Sequence, residues 1–323
     1  MVILLVTFTL CAQETHQAFE PSGKAVFKVF TNWHQGIGDD ISYYDDSGFE
    51  LTRGVIGYEY HFSPNWSSKV LVDMDDPDAG KLTEVAYIRN AYVAYNNDKI
   101  NAVFGIIGMK QFKTQENIWG YRYIYKSAMD EYKFNNSVDA GLYLKYNLNT
   151  FLSLDVTLSN GEGAKSQQDT EGKYRMGYGL EAQAFEGMLF RLYYDYFYAP
   201  EPLAESQSAD QDVLALFLAY KQDHYRIGLE YNILHNYQFV SIDDRHLLSA
   251  YGSVSFLEKM QAFVRYDKLM AEDVLQSEEV YMLGFEYQII KGIKLSPNFR
   301  YLNYTDSSQA DGAYVYVNFE YKF

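Results

Sequence analysis

Through most of its length this chain repeats one pattern, in which apolar and polar side chains alternate over stretches of about ten residues between turn-forming segments. Successive side chains of an extended backbone point to opposite faces, so each stretch carries one apolar face and one polar face. In the last stretch Val315, Val317, Phe319, Tyr321 and Phe323 oppose Tyr316, Asn318, Glu320 and Lys322. Upstream, Leu152, Leu154, Val156 and Leu158 oppose Ser153, Asp155, Thr157 and Ser159, and Met176, Tyr178 and Leu180 oppose Arg175, Gly177 and Gly179. Tyr225, Ile227, Leu229 and Tyr231 likewise oppose Arg226, Gly228 and Glu230. Met260, Ala262, Val264 and Tyr266 oppose Gln261, Phe263, Arg265 and Asp267. No stretch sustains a helical period, and the 32 Tyr and 21 Phe favour strands. The chain is expected to be all-β.

The alternation places strands at 24–36, 48–62, 66–75, 84–96, 99–110, 137–147, 150–160, 174–185, 187–198, 211–222, 224–235, 246–256, 259–268, 279–290, 292–304 and 312–323. Strands of this length cross a bilayer when tilted, and single-chain bacterial barrels have an even number of them. Tight turns (Ser63-Pro64-Asn65, Asn97-Asp98, Glu186, Asp223, Leu257-Glu258, Lys291) alternate with longer connections. Short turns on one rim and long loops on the other predict a transmembrane antiparallel β-barrel of about sixteen strands in a bacterial outer membrane. A mean hydropathy of -0.30 fits, because such a wall alternates lipid-facing and water-facing residues. Strand 211–222 departs from the rule, since Val213 to Ala219 is apolar on both faces, and is expected at a contact between subunits. A final strand ending in Phe323 fits an assembly signal, and Trp33, Tyr60, Trp66, Tyr198 and Tyr301 fit interfacial girdles.

The apolar run Val2 to Cys11, followed by the small Ala12, reads as a signal peptide over 1–12, leaving 13–323 as the outer-membrane barrel. A net charge of -16 argues against a nucleic-acid partner. His16, His34, His61, His224, His235 and His246 show no metal spacing, and no glycine-rich phosphate loop opens a helix, so neither metal nor cofactor is expected. Asp73, Asp75, Asp78 and Glu84 imitate a calcium loop in part, but Pro77 and the absence of the turn glycine argue for a plain acidic turn. The nearest hydrolytic grouping is His246 with Ser249 or Asp244, and no catalytic residue is assigned.

The ionisable groups separate by region. Loops 37–46, 199–210, 269–278 and 305–311 carry Asp39, Asp40, Asp45, Asp46, Glu201, Glu205, Asp210, Glu272, Asp273, Glu278, Asp306 and Asp311, with no Lys or Arg. They form either a solvated, self-repelling rim or a surface for divalent cations that bridge lipopolysaccharide phosphates. The polar strand faces instead balance Lys28, Arg53, Lys69, Lys145, Arg175, Arg191, Arg226, Arg265, Lys294, Arg300 and Lys322 against Glu59, Asp73, Asp139, Asp155, Glu181, Asp195, Glu230, Asp267, Glu286 and Glu320. So many charges cannot share a dry core, and they call for a hydrated channel. The basic wall residues Arg175, Arg191, Arg226, Arg265 and Arg300 either favour anions or pair with nearby carboxylates.

Connection 111–136 is the longest, and loops of such length usually serve function. Together with the flanking strand ends it reads GIIGMKQFKTQENIWGYRYIYKSAMDEYKFNNSVDAGLYLKYN, followed by Leu158-Ser159-Asn160-Gly161-Glu162-Gly163. This segment resembles the phosphate-selective porin family, the outer-membrane porins O and P and their relatives. The resemblance covers about 65 residues closely and the rest only in strand layout. It implies a sixteen-stranded homotrimeric porin whose third outer loop folds into the lumen, with anion preference. It also implies a constriction at Lys110, Lys113, Glu116, Arg122, Lys126 and Asp130, where Lys133 and Glu131 also lie. The acid-rich rims depart from the electropositive vestibule that phosphate preference calls for. The expected function is passive diffusion of small hydrophilic solutes or anions. The alternatives are an oligosaccharide-favouring channel in which Trp119, Tyr121, Tyr123 and Tyr125 stack on sugars, or a barrel hydrolase.

Overall fold

Extended backbone forms wherever the alternation runs unbroken. The computed structural model describes residues 19–37, 47–75, 85–166, 172–199, 208–306 and 311–323. Segment 1–12 lies outside these residues, as do Asp39, Asp40, Asp45, Asp46, Asp78, Glu84, Glu201 and Glu205. The first eight strands are β1 (Ser22–Ile37), β2 (Ser47–His61), β3 (Trp66–Asp75), β4 (Val85–Asn96), β5 (Ile100–Gly108), β6 (Val138–Asn147), β7 (Leu152–Ser159) and β8 (Arg175–Phe185). The second eight are β9 (Met188–Phe197), β10 (Gln211–Lys221), β11 (Tyr225–His235), β12 (Arg245–Leu257), β13 (Met260–Ala271), β14 (Glu278–Ile290), β15 (Ile293–Tyr304) and β16 (Gly312–Lys322).

Each strand pairs antiparallel with its chain neighbours, and β1 pairs with β16 to close the barrel. Closure leaves no unpaired edge, which a wall in hydrocarbon requires. The seam is zipped to its end: the amide and carbonyl of Phe27 bond those of Phe323 at 3.1 Å each, and the two rings stack at 5.0 Å.

Polarity is the reverse of a soluble protein's. On β7 the apolar residues Leu154, Val156 and Leu158 are exposed, whereas Ser153, Asp155, Thr157 and Ser159 are buried. On β8 and β9, Tyr178 and Phe190 face out while Arg175, Arg191 and Asp195 face in. An apolar exterior around a charged interior is the arrangement of a transmembrane barrel.

Among the register irregularities of the described strands, two β-bulges bear on the lumen, one on β2 opposite Phe30 and Thr31 and one on β4 opposite Leu71 and Val72. The first leaves Thr52 unpaired, so Phe49 and Leu51 point outward while Arg53 and Val55 point inward. The second does the same at Arg89, between exposed Ile88 and buried Asn90. A bulge re-aims side chains by reversing the in–out phase.

The longest connection, between β5 and β6, contains α1 (Lys113–Trp119) and α2 (Ala128–Glu131). Helices this short draw their stability from packing, and here it comes from the barrel wall. Phe217 and Ala219 of β10 pack with Trp119 and Tyr121, and Val213 and Ala215 pack with Met129 and Tyr132. The inner face of β10 is apolar because the loop covers it, and a subunit contact is not needed to explain it.

Candidate functional site

The loop crosses the lumen and fastens to the inward faces of a run of consecutive strands. Arg191 on β9 donates to the carbonyls of Gln111 and Lys110, and Thr114 donates to Glu181 on β8 at 2.7 Å. Tyr251 on β12 donates to the Gln115 carbonyl, Tyr121 donates to Gln261 on β13, and Tyr123 donates to Glu286 on β14. Arg300 on β15 and Asn318 on β16 donate to the carbonyls of Ile124 and Tyr123. Trp119 and Tyr121 are each 1% exposed and lie edge-on against Tyr251 or tilted against Phe263. These buried rings fix the loop to the wall and are not open to stack on a sugar. Tyr125 is half-buried between the guanidiniums of Arg265 and Arg300.

Three of the five wall arginines pair with carboxylates. Arg191 makes a two-pronged pair with Asp155 at 2.6 and 3.0 Å, Arg175 pairs with Asp195 at 2.7 Å, and Arg265 with Asp267 at 2.6 Å. Arg191 and Asp155 sit on β9 and β7, with β8 between them. Gly179 makes that reach possible, since a Cβ there would overlap the Asp155 carboxylate. The other two arginines bind neutral groups. Arg226 donates to Ser253 and Gln261 and lies over Tyr121. Arg300 donates to Asn298 and Asn318 and lies 3.7 Å from the Tyr316 ring centre.

Of the expected constriction residues, four form one cluster. Arg122 meets Glu116 at 3.1 Å and Asp130 at 2.8 Å, and Lys113 meets Glu116. Burial pushes the Glu116 carboxyl up, but the charges of Arg122 and Lys113 outweigh it and hold it below the usual carboxylate value. Lys126 pairs with Glu131 at 3.8 Å. Lys110 stands apart over the ring of Tyr143, at 5.2 Å, without a carboxylate partner among the described residues. Burial lowers its pKa, and the charges of Lys113 and Lys69 act in the same direction.

A second cluster went unread in the sequence. Asp73 on β3 is fully buried and receives Arg53 from β2 at 2.5 Å, Arg89 from β4 at 2.9 Å and the Tyr87 hydroxyl at 3.2 Å. The two bulges aim both arginines inward. Strict alternation extended back from Tyr92 and Ala94 sends Arg89 to the lipid. The one signal in the sequence is the break in phase at Arg89-Asn90. Asp73 is thus committed to two guanidiniums rather than to a calcium loop.

Arg53, Arg89, Arg122 and Arg300 line a cavity of about 850 Å3 at the long-loop end of the lumen. Its lining holds nine basic and four acidic side chains. Basic side chains outnumber acidic ones on this lining, although Arg53 and Arg89 share Asp73, and Arg175 pairs with Asp195, outside it. Of the described loop acids, Asp210 accepts from the Ala199 amide and Tyr196, and Asp311 from the Tyr304 amide and Tyr301. They brace strand ends instead of facing the cavity. Gly161, of the Asn160-Gly161-Glu162-Gly163 motif, has φ +106 and lies against the Phe197 ring. Its amide donates to Asp139 at 2.5 Å, and its carbonyl accepts from Asn136.

The hydrolytic grouping does not form. His246 bonds Tyr231 on the outer side of the wall, whereas Ser249 is buried in the lumen and donates to Asp267 at 2.6 Å. Asp244 accepts the Asn236 amide.

No family model matches the chain, and no curated protein matches it. Solved structures do. The anion-selective porin from Comamonas acidovorans aligns with a TM-score of 0.72 at 10% identity, covering 94% of this chain and 100% of that one. Salmonella typhi OmpF, in its complex with daunomycin, aligns at 0.71 and 14%, covering 93% and 97%. The outer membrane channel DcaP of Acinetobacter baumannii aligns at 0.66 and 13%, covering 95% and 99%. At these identities the likeness is one of fold: this chain has the sixteen-stranded barrel fold found in outer-membrane porins.

Proposed function

We propose that this chain is a bacterial outer-membrane channel for passive diffusion of small hydrophilic solutes, with a preference for anions. The observation that carries the reading is the combination of an apolar exterior with an interior cavity lined by nine basic and four acidic groups. Basic side chains facing a narrow aqueous path raise the local anion concentration. The inward loop, carrying Arg122, Lys113 and Glu116, sets the constriction. The neighbour described as an anion-selective porin supports the same sign of selectivity. The homotrimer implied by the family resemblance, and the contact with lipopolysaccharide through acidic loops, belong to this proposal.

The test is the reversal potential of the purified protein in a planar bilayer under a KCl gradient. A sign reporting chloride preference, diminished in Arg122→Ala, supports the reading. Cation preference, or an Arg122→Ala variant identical to the parent in conductance and selectivity, refutes it.

A further inference from the structure

The vestibule lining mixes basic and aromatic side chains: Arg53 and Arg89 stand with Phe30 and Tyr87, and Arg175 lies 5.9 Å from the ring centre of Phe197. Arg53 and Arg89 come from β2 and β4. Phe197 at the end of β9, with Tyr237 and Phe239 of the β11–β12 connection, lines the facing wall. In a closed ring of sixteen strands, β3 and β11 lie half a circumference apart.

The aromatic wall is built at a conformational cost. Asn236, Gln238, Phe239 and Ile242 all have φ between 53 and 65°, a region that residues with a side chain rarely adopt. The connection is held there by bonds to its own side chains. The Asn236 amide donates to Asp244, and the Ile242 amide to the Asn236 side chain, both at 3.1 Å. The Ala209 amide bonds the Phe239 carbonyl at 3.0 Å. This backbone sets Phe239 edge-on to Phe197 at 5.3 Å. Clustered non-glycine residues in this region are a pointer to function. A route for inorganic ions alone has no use for such a wall, because water and cations suffice for them.

We propose that the vestibule binds aromatic carboxylates, whose ring lies against the half-buried Phe239, itself backed by Phe197, and whose carboxylate meets the basic lining. Lys133 is exposed, lines the cavity and has no ion pair among the described residues, so its charge is uncommitted. A cavity of about 850 Å3 is within the range that holds small organic ligands. This inference rests on the channel reading for its physiological sense, but the site can be tested without conduction.

Two measurements decide it. In planar bilayers, 4-hydroxybenzoate is expected to block the chloride current saturably, while inorganic phosphate and glucose 6-phosphate at equal concentration do not. Phe239→Ala raises the half-blocking concentration about tenfold, the scale of one lost ring contact, and Phe239→Tyr restores it. Equilibrium dialysis of labelled 4-hydroxybenzoate against the detergent-solubilised protein gives the same ranking. A silent bilayer with binding lost in Phe239→Ala keeps the site and removes the channel. A conducting pore without saturable block or binding overturns the site and keeps the channel. Equal block by glucose 6-phosphate, or block unchanged in Phe239→Ala, also overturns it.

Discussion

Asp73→Asn isolates the contribution of one carboxylate to both stability and selectivity. The Asp73 side chain is 0% exposed, and those of its partners Arg53 and Arg89 are 9% and 17% exposed. At an effective dielectric constant of about 20, each pair at contact distance is worth roughly 4 kcal/mol of attraction. Much of that is offset by the cost of burying the carboxylate, but the two arginines keep their own burial cost when it is removed. Breaking a buried pair in this way typically costs about 3–5 kcal/mol. The variant is therefore expected to unfold from detergent at clearly lower urea than the parent. It also leaves one more net positive charge beside the path. At about 8 Å through water a unit charge is worth roughly 0.5 kcal/mol, or a little over twofold in local anion concentration. The KCl reversal potential is expected to move further towards chloride. Combining Asp73→Asn with Arg89→Leu removes the surplus charge and returns part of the stability. Asp73→Asn with parental stability and parental reversal potential would refute the assignment of Asp73 as the shared counter-ion.

Trp119→Ala removes the ring that packs the loop against Tyr251 and Phe263, at a cost of about 3–5 kcal/mol, and the loosened loop raises single-channel conductance. An unchanged conductance argues against the loop as the constriction. Gly161→Ala forces a Cβ into the Phe197 ring at φ +106 and lowers the thermal midpoint, with a loss of order 1–3 kcal/mol read by heat-dependent gel mobility. Lys110 has a lowered pKa, so as pH rises it loses its charge below 10.5, the ordinary lysine value, ahead of unperturbed lysines. Chloride preference then declines over that interval. A reversal potential flat up to 10.5 counts against Lys110 in the path.

All sixteen strands were legible because the wall separates two solvents. Most lumen-facing residues meet water or a charged partner and the outward ones meet lipid, so the alternation survives along most strands, the bulges and the inner face of β10 being the exceptions. Predicted strand boundaries fall within three residues of the observed ones, the largest difference being β13, read to Lys268 and observed to Ala271. What stayed hidden arises from contacts between segments distant in sequence. The apolar inner face of β10 reflects a loop that begins about 100 residues earlier in the chain. The pairing of Arg175, Arg191 and Arg265, against the neutral partners of Arg226 and Arg300, depends on which carboxylate the register brings across. Arg89 was missed because a single bulged residue reverses the phase on which the reading of its strand relied. The aromatic wall was missed because no glycine marks the left-handed backbone of residues 236–242.

The account depends on water continuing through the barrel past the inward loop. Single-channel recording of the purified, refolded protein in a lipid bilayer tests that most directly. Discrete ohmic steps that scale with KCl concentration are expected, because a wetted lumen passes ions in proportion to their supply. A protein that inserts, keeps its β circular-dichroism spectrum and carries no current has an interior sealed by the loop, which contradicts the account.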